Sequence, residues 1–271
     1  GAAAAGGVAR DGAGGHGRVD GAAAPGLRPR GALLVNAQFS TVDAVQLVAM
    51  IRASGKELRT IYISHGDPDF YFGLETVVAA FPDAKVLATP TTIAYMQKSA
   101  AGKLAFWGPK LGAGAPKTIV MPAPVTGNTL TLDGETIEIL GLDGPTPERS
   151  VLWIPSIRAV LGGIPVFAGE HVWMADTQSP QSHADWLAML DRLAALQPTT
   201  VIPGHFEPTA PQGVDALRFT ADYIRAFDEE TARAPDSAAL IAAMKQRYPT
   251  LKGGVALELS AKVAKGEMAW P

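Results

Sequence analysis

The chain has 271 residues, 47% hydrophobic and 18% charged, which suits one large α/β domain with a substantial core. With no cysteine, disulfides, zinc–thiolate sites and thiol nucleophiles are excluded, and no apolar run approaches the ~18 residues of a membrane-spanning helix. A net charge of −3, without a basic cluster interleaved with aromatics, argues against a nucleic-acid surface.

Residues 1–30 contain nine Gly and nine Ala, punctuated by a few Arg and Asp. They show neither helical nor strand periodicity and cannot bury enough apolar area to offset chain entropy. This segment reads as a flexible leader, or alternatively as an out-of-frame translated stretch that replaces original strands. It lacks the apolar centre of a signal peptide, and the compartment stays open. A single domain is expected over 31–271.

From Ala32 the pattern becomes regular. Ala32–Val35 reads as a buried strand, Thr41 and Asp43 as caps of a helix that ends at Gly55, and Thr60–Ile63 as the next strand. A helix over Leu74–Phe81, a strand over Lys85–Ala88 and a helix over Thr91–Gln97 come next, a βα series typical of parallel strands covered by helices. Gly102 to Pro124 reads as a loop-rich insertion. Beyond it, Asp133-Gly134 between two alternating runs predicts a hairpin. Strands at Val151–Ile154 and Ala159–Leu161, a helix over Ser182–Leu196 and a strand over Thr200–Ile202 ending in Pro203-Gly204-His205 continue the second half. Two helices, Gly213–Arg233 and Ala238–Tyr248, close it.

The passage richest in chemistry is Ile63-Ser64-His65-Gly66-Asp67-Pro68-Asp69-Phe70-Tyr71-Phe72-Gly73. It places one imidazole and two carboxylates on a turn after a buried strand, where several ligands can converge on one cation. The plainer reading is that His65 and Asp69 cap the following helix. No Gly-x-Ser-x-Gly elbow and no phosphate-binding loop is present.

The turn resembles the His-x-His-x-Asp-His signature of the metallo-β-lactamase superfamily. A Thr146-Pro147 turn, Pro203-Gly204-His205 and the Val172–Asp176 segment occur in the family's order, over about Leu33 to His205. The resemblance implies an α/β fold, the family's αββα sandwich, here abbreviated by loss of its first strands. It implies that His65, Asp67 and Pro145 stand where one metal's ligands are, and Asp69, Phe70 and His205 where the other's are. The bridging Asp falls at Gly163. Three positions are thus lost, and Asp67 is an oxygen replacement for a histidine.

The same resemblance implies a metal-dependent hydrolase of carboxylic esters, lactones or phosphoesters, slow and broad. It would hold Zn²⁺ or Mn²⁺ on His65, Asp67, Asp69 and His205, with Asp67 or Asp69 accepting a proton from the attacking water. Glu148, His171 and Asp176 are possible additional site residues, and Trp107 and Trp173 could wall the pocket. His183 reads as surface. Two rivals stand beside this: a metal-free, catalytically degenerate binding or structural protein, and metal-free hydrolysis through the His65–Asp pair. Missing first strands would leave an open strand edge, which predicts a homodimer.

Overall fold

A computed structural model describes residues 4–5, 17–20, 31–207, 209–210 and 213–270, with the backbone alone at 4–5, 17–20 and 162. The elements run β1 (Ala4–Ala5), β2 (Gly17–Asp20), β3 (Gly31–Val35), α1 (Thr41–Ala53), β4 (Glu57–Ile63), α2 (Pro68–Tyr71), α3 (Leu74–Ala80) and β5 (Lys85–Ala88). Then come α4 (Pro90–Leu111), β6 (Ala123–Pro124), β7 (Thr129–Leu132), β8 (Glu135–Leu140), β9 (Val151–Ile154) and β10 (Ala159–Ala168). The last are α5 (Pro180–Ala195), β11 (Thr200–Phe206), α6 (Val214–Arg233), α7 (Ser237–Arg247) and α8 (Gly254–Ala264).

One sheet has the order β1-β2-β3-β4-β5-β6, the other β11-β10-β9-β8-β7. β3 to β6 are parallel neighbours, as the βα alternation requires. In the second sheet β7 to β10 pair antiparallel and β11 joins β10 in parallel. Every residue of β3 and of β9 is buried, as continuous apolar runs demand when both faces of a strand are covered. Helices α5 and α6 pack on β10, and one hydrophobic core joins both sheets. This is the expected αββα sandwich. The Asp133-Gly134 hairpin forms as predicted, with φ of 51° and 87°, both left-handed as a type I′ turn needs.

Several expectations are corrected. Two strands lie inside the segment read as a flexible leader: β2 pairs antiparallel with β3, and β1 with β2. Backbone pairing needs no side-chain periodicity, and strands of two and four residues are too short to show one. The rest of that leader lies outside the described residues. The outer edge of β3, expected to be open, is covered by β2, which removes the argument for a homodimer.

The insertion begins as helix. α4 runs through Gly102 and carries Pro109 in its last turn. A third late helix, α8, lies beyond the two expected. His183 is buried rather than on the surface, between Asp228 Oδ1 at 2.6 Å and the Thr177 carbonyl at 2.6 Å.

Candidate functional site

The site forms where β4 and β11 end. Beyond β4, Ser64 donates from its amide and its hydroxyl to Asn36 Oδ1, at 2.9 and 3.0 Å. Its carbonyl accepts from Ser150 Oγ at 3.0 Å, and that hydroxyl also bonds Tyr62 Oη at 2.8 Å. All these groups are buried, so the base of the turn is fixed in both sheets at once. Asp67 occupies the N-cap position of α2 but makes no capping bond, which leaves its carboxylate for other partners. On the opposite side β11 delivers His205, whose ring stacks on Phe167 of β10 at 4.9 Å.

Two histidine–carboxylate pairs result. His65 Nε2 lies 3.1 Å from Asp67 Oδ2, and its Nδ1 lies 3.0 Å from the Glu148 carbonyl. His205 Nε2 lies 2.8 Å from Asp69 Oδ2. Phe70, fully buried, stands edge-on to both imidazoles, with centroids 5.5 Å from His65 and 5.7 Å from His205. It separates the pairs.

The second partner of Asp67 is the ammonium of Lys103, from the middle of α4. That ammonium also donates to Tyr95 Oη at 3.1 Å and lies 4.6 Å from the centre of the Tyr95 ring. Tyr95 in turn stacks on His65 at 5.7 Å. A Cβ at Gly66 would sit 2.3 Å from Tyr95, so only glycine lets α4 press this closely on the turn.

Electrostatics match the geometry. Burial would raise the Asp67 carboxyl, but the charges and bonds of His65 and Lys103 outweigh it and hold it far below the usual carboxylate range. Burial would lower Lys103; Asp67 reverses this and leaves the ammonium more firmly protonated than usual. Burial opposes the charged form of His205 too, yet the bond to Asp69 prevails and raises it above its ordinary value.

The four residues expected to hold a cation do not fit one in this arrangement. They form two pairs, and among the described residues no group of three or more His, Cys, Asp and Glu side chains is gathered as a metal requires. Asp67 is taken by an ammonium and an imidazole. His65 has both ring nitrogens within hydrogen-bond distance of oxygen atoms, Nδ1 of the Glu148 carbonyl and Nε2 of the Asp67 carboxylate. Phe70 fills the space between the imidazoles with apolar carbon. At the bridging position, a Cβ on Gly163 would meet Val151 Cγ1 at 2.1 Å. No aspartate can stand there.

Other expected residues have different roles. Glu148 contributes its backbone carbonyl, not its carboxylate. His171 bonds Tyr223 Oη at 2.9 Å, and burial, with Lys245 nearby, pushes it down to about 4. Asp176 accepts from the indoles of Trp173 and Trp270, at 2.6 and 2.8 Å. Burial, reinforced by the Asp67 charge, raises its carboxyl.

Trp107 and Trp173 are connected by ring contacts through Phe106 and Trp270. Sequence reasoning missed Lys103, Tyr95, Trp270 and Arg149, a buried guanidinium 5.1 Å from the Trp186 ring. The available signal was that Tyr95, Lys103 and Trp107 share one side of a helix.

A family model described as the metallo-beta-lactamase superfamily matches residues 38–205. Among solved structures, a metallo-beta-lactamase from Pontibacter korlensis is similar at 16% identity and a TM-score of 0.56, covering 82% of this chain and 93% of that one. The DIM-1 metallo-beta-lactamase is similar at 20% identity and a TM-score of 0.54, over 78% of this chain and 86% of that one. No curated protein matches. With the family match spanning more than half its length and the sandwich in place, the chain belongs to the metallo-beta-lactamase superfamily.

Proposed function

We propose that this protein hydrolyses small carboxylic esters or lactones without a bound metal ion. Superfamily membership supports hydrolysis as the reaction class. The observation that carries the metal-free form is the His205–Asp69 pair, an imidazole oriented by a carboxylate at 2.8 Å. Such a pair is the usual general-base unit of hydrolases.

Asp69 holds the ring of His205 by its Nε2, which leaves Nδ1 as the nitrogen assigned to the base role. Nδ1 takes a proton from water as the water oxygen attacks the ester carbonyl. Lys103 uses two of its three donors on Asp67 and Tyr95, and the third is assigned to the oxyanion that develops. Collapse of the tetrahedral adduct breaks the C–O bond, and the departing alkoxide takes the proton back from His205. Asp67 acts by fixing Lys103. Phosphoesters, whose extra negative charge calls for a divalent cation, fall outside this scheme.

Phe70 between the imidazoles favours a second reading, a metal-free binding protein without turnover. Hydrolysis of p-nitrophenyl acetate and of a γ-lactone, with and without EDTA, separates the two. The hydrolase reading expects turnover above the blank, unchanged by EDTA and at least ~100-fold lower in His205→Ala. Turnover that disappears with EDTA refutes metal-free catalysis, and no turnover refutes the hydrolase.

A further inference from the structure

We propose that Lys103 is the chain's own replacement for a metal ion, a built-in cation that shuts divalent ions out of the motif. The inference deepens the metal-free reading above and rests on it. Its ground is the position of one ammonium. Lys103 Nζ sits on the carboxylate of Asp67, where the resemblance puts a ligand of the first metal.

The placement is built rather than incidental. Lys103 projects from the interior of the long helix α4, with its side chain only 20% exposed. Tyr95, two turns earlier, donates nothing to it but receives its second hydrogen bond at 3.1 Å and spreads its ring beneath the charge at 4.6 Å. The same ring stacks on His65, and Gly66 is bare of side chain where the ring lands. Helix, tyrosine and glycine therefore fix the ammonium against the turn with little freedom to swing away.

An ammonium in this position acts on a metal in two ways. It occupies the oxygen that an entering cation would coordinate, and it repels that cation across a few ångströms of largely dry protein. Its single charge also balances Asp67, whose carboxylate otherwise acts on the nearby Asp176 carboxylate. The loss of histidines at the motif and the presence of this lysine are then two halves of one substitution.

The test is calorimetric titration of the chelator-treated full chain with Zn²⁺ and with Mn²⁺, for wild type, Lys103→Arg, Lys103→Met and Lys103→Met combined with Asp67→Asn. Wild type and Lys103→Arg, which keep the charge, are expected to show no site tighter than ~100 μM. Lys103→Met keeps the stem without the charge, and one equivalent should bind at least ~100-fold tighter. Asp67→Asn should abolish that gain. Circular dichroism confirms that each variant is folded, and Lys103→Gln replaces the Met variant if the latter is not.

Wild type taking one equivalent of Zn²⁺ below ~1 μM, with Asp67→Asn removing it, overturns the proposal. So does a folded Lys103→Met or Lys103→Gln variant that gains nothing. Because metal binding is read directly, a protein that passes this test and hydrolyses no ester would sink the proposed activity alone.

Discussion

Replacing Gly163 probes why this site lost its bridging carboxylate. The residue lies at a register shift in β10, where that strand closes against both β9 and β11. A Cβ there would stand 2.1 Å from Val151 Cγ1, 3.0 Å from Pro165 Cδ and 3.2 Å from the Ser150 carbonyl. Carbon atoms settle at about 3.5–4.0 Å, so the nearest contact is short by more than an ångström. The atoms in the way belong to a strand residue, a proline and the backbone, none of which swings aside cheaply.

Overpacking of this kind typically costs ~1–3 kcal/mol, and Gly163→Ala should lie at the upper end, about 3 kcal/mol. Gly163→Asp adds an unpartnered buried carboxylate worth several kcal/mol more, which together approach the whole stability of an ordinary domain, about 5–15 kcal/mol. Gly102 is the control: it sits in α4 with nothing within 4 Å of its Cβ position, so Gly102→Ala should stabilise by ~0.5–1 kcal/mol. Urea unfolding monitored by circular dichroism reads all three. Gly163→Ala within ~0.5 kcal/mol of wild type would refute the argument that packing, not drift, excludes an aspartate.

The charges and bonds predict three further outcomes. Because Asp69 raises His205 above its ordinary 6.5, the stabilisation from that pair is complete below pH 6.5 and fades as pH climbs through the raised value. Thermal melts from pH 6 to 9 should show this loss in wild type and not in Asp69→Asn, and the ester-hydrolysis rate should rise over the same interval. His171, pushed down to about 4, behaves oppositely: stability falls as pH drops from 6.5 towards 4, since only the unfolded chain takes up the proton. His171→Gln should lose less between pH 7 and 4.5, measured by urea unfolding. Asp176→Ala strands the indole N–H groups of Trp173 and Trp270, which should cost ~1–3 kcal/mol and alter tryptophan emission; unchanged emission would count against the two bonds.

The sheets and the motif turn were legible because their signals are local. Apolar runs, Asp133-Gly134 and the βα alternation each specify a short stretch, and the strands that carry His65 and His205 place them. What decides the chemistry is not local. Lys103 reads as an ordinary helix-surface lysine until α4 is laid across the turn, and α4 itself is interrupted on paper by Gly102, Gly108 and Pro109. Phe70 reads as a missing ligand, and only its contacts with both imidazoles reveal it as a partition between them. Gly163 likewise looks like a lost aspartate, while the closeness of β9 shows a residue that must be small. Strands β1 and β2 escaped because two residues, and the four of Gly17–Asp20, are too short to show a period of two.

Diffraction from crystals soaked in zinc, recorded at the zinc absorption edge, decides whether an ammonium or a metal ion neutralises the motif. The expected map has Lys103 Nζ in density on the Asp67 carboxylate, His205 on Asp69, and no anomalous peak among His65, Asp67, Asp69 and His205. A strong peak coordinated by two or more of those four residues, with Lys103 displaced from Asp67, would contradict the built-in cation.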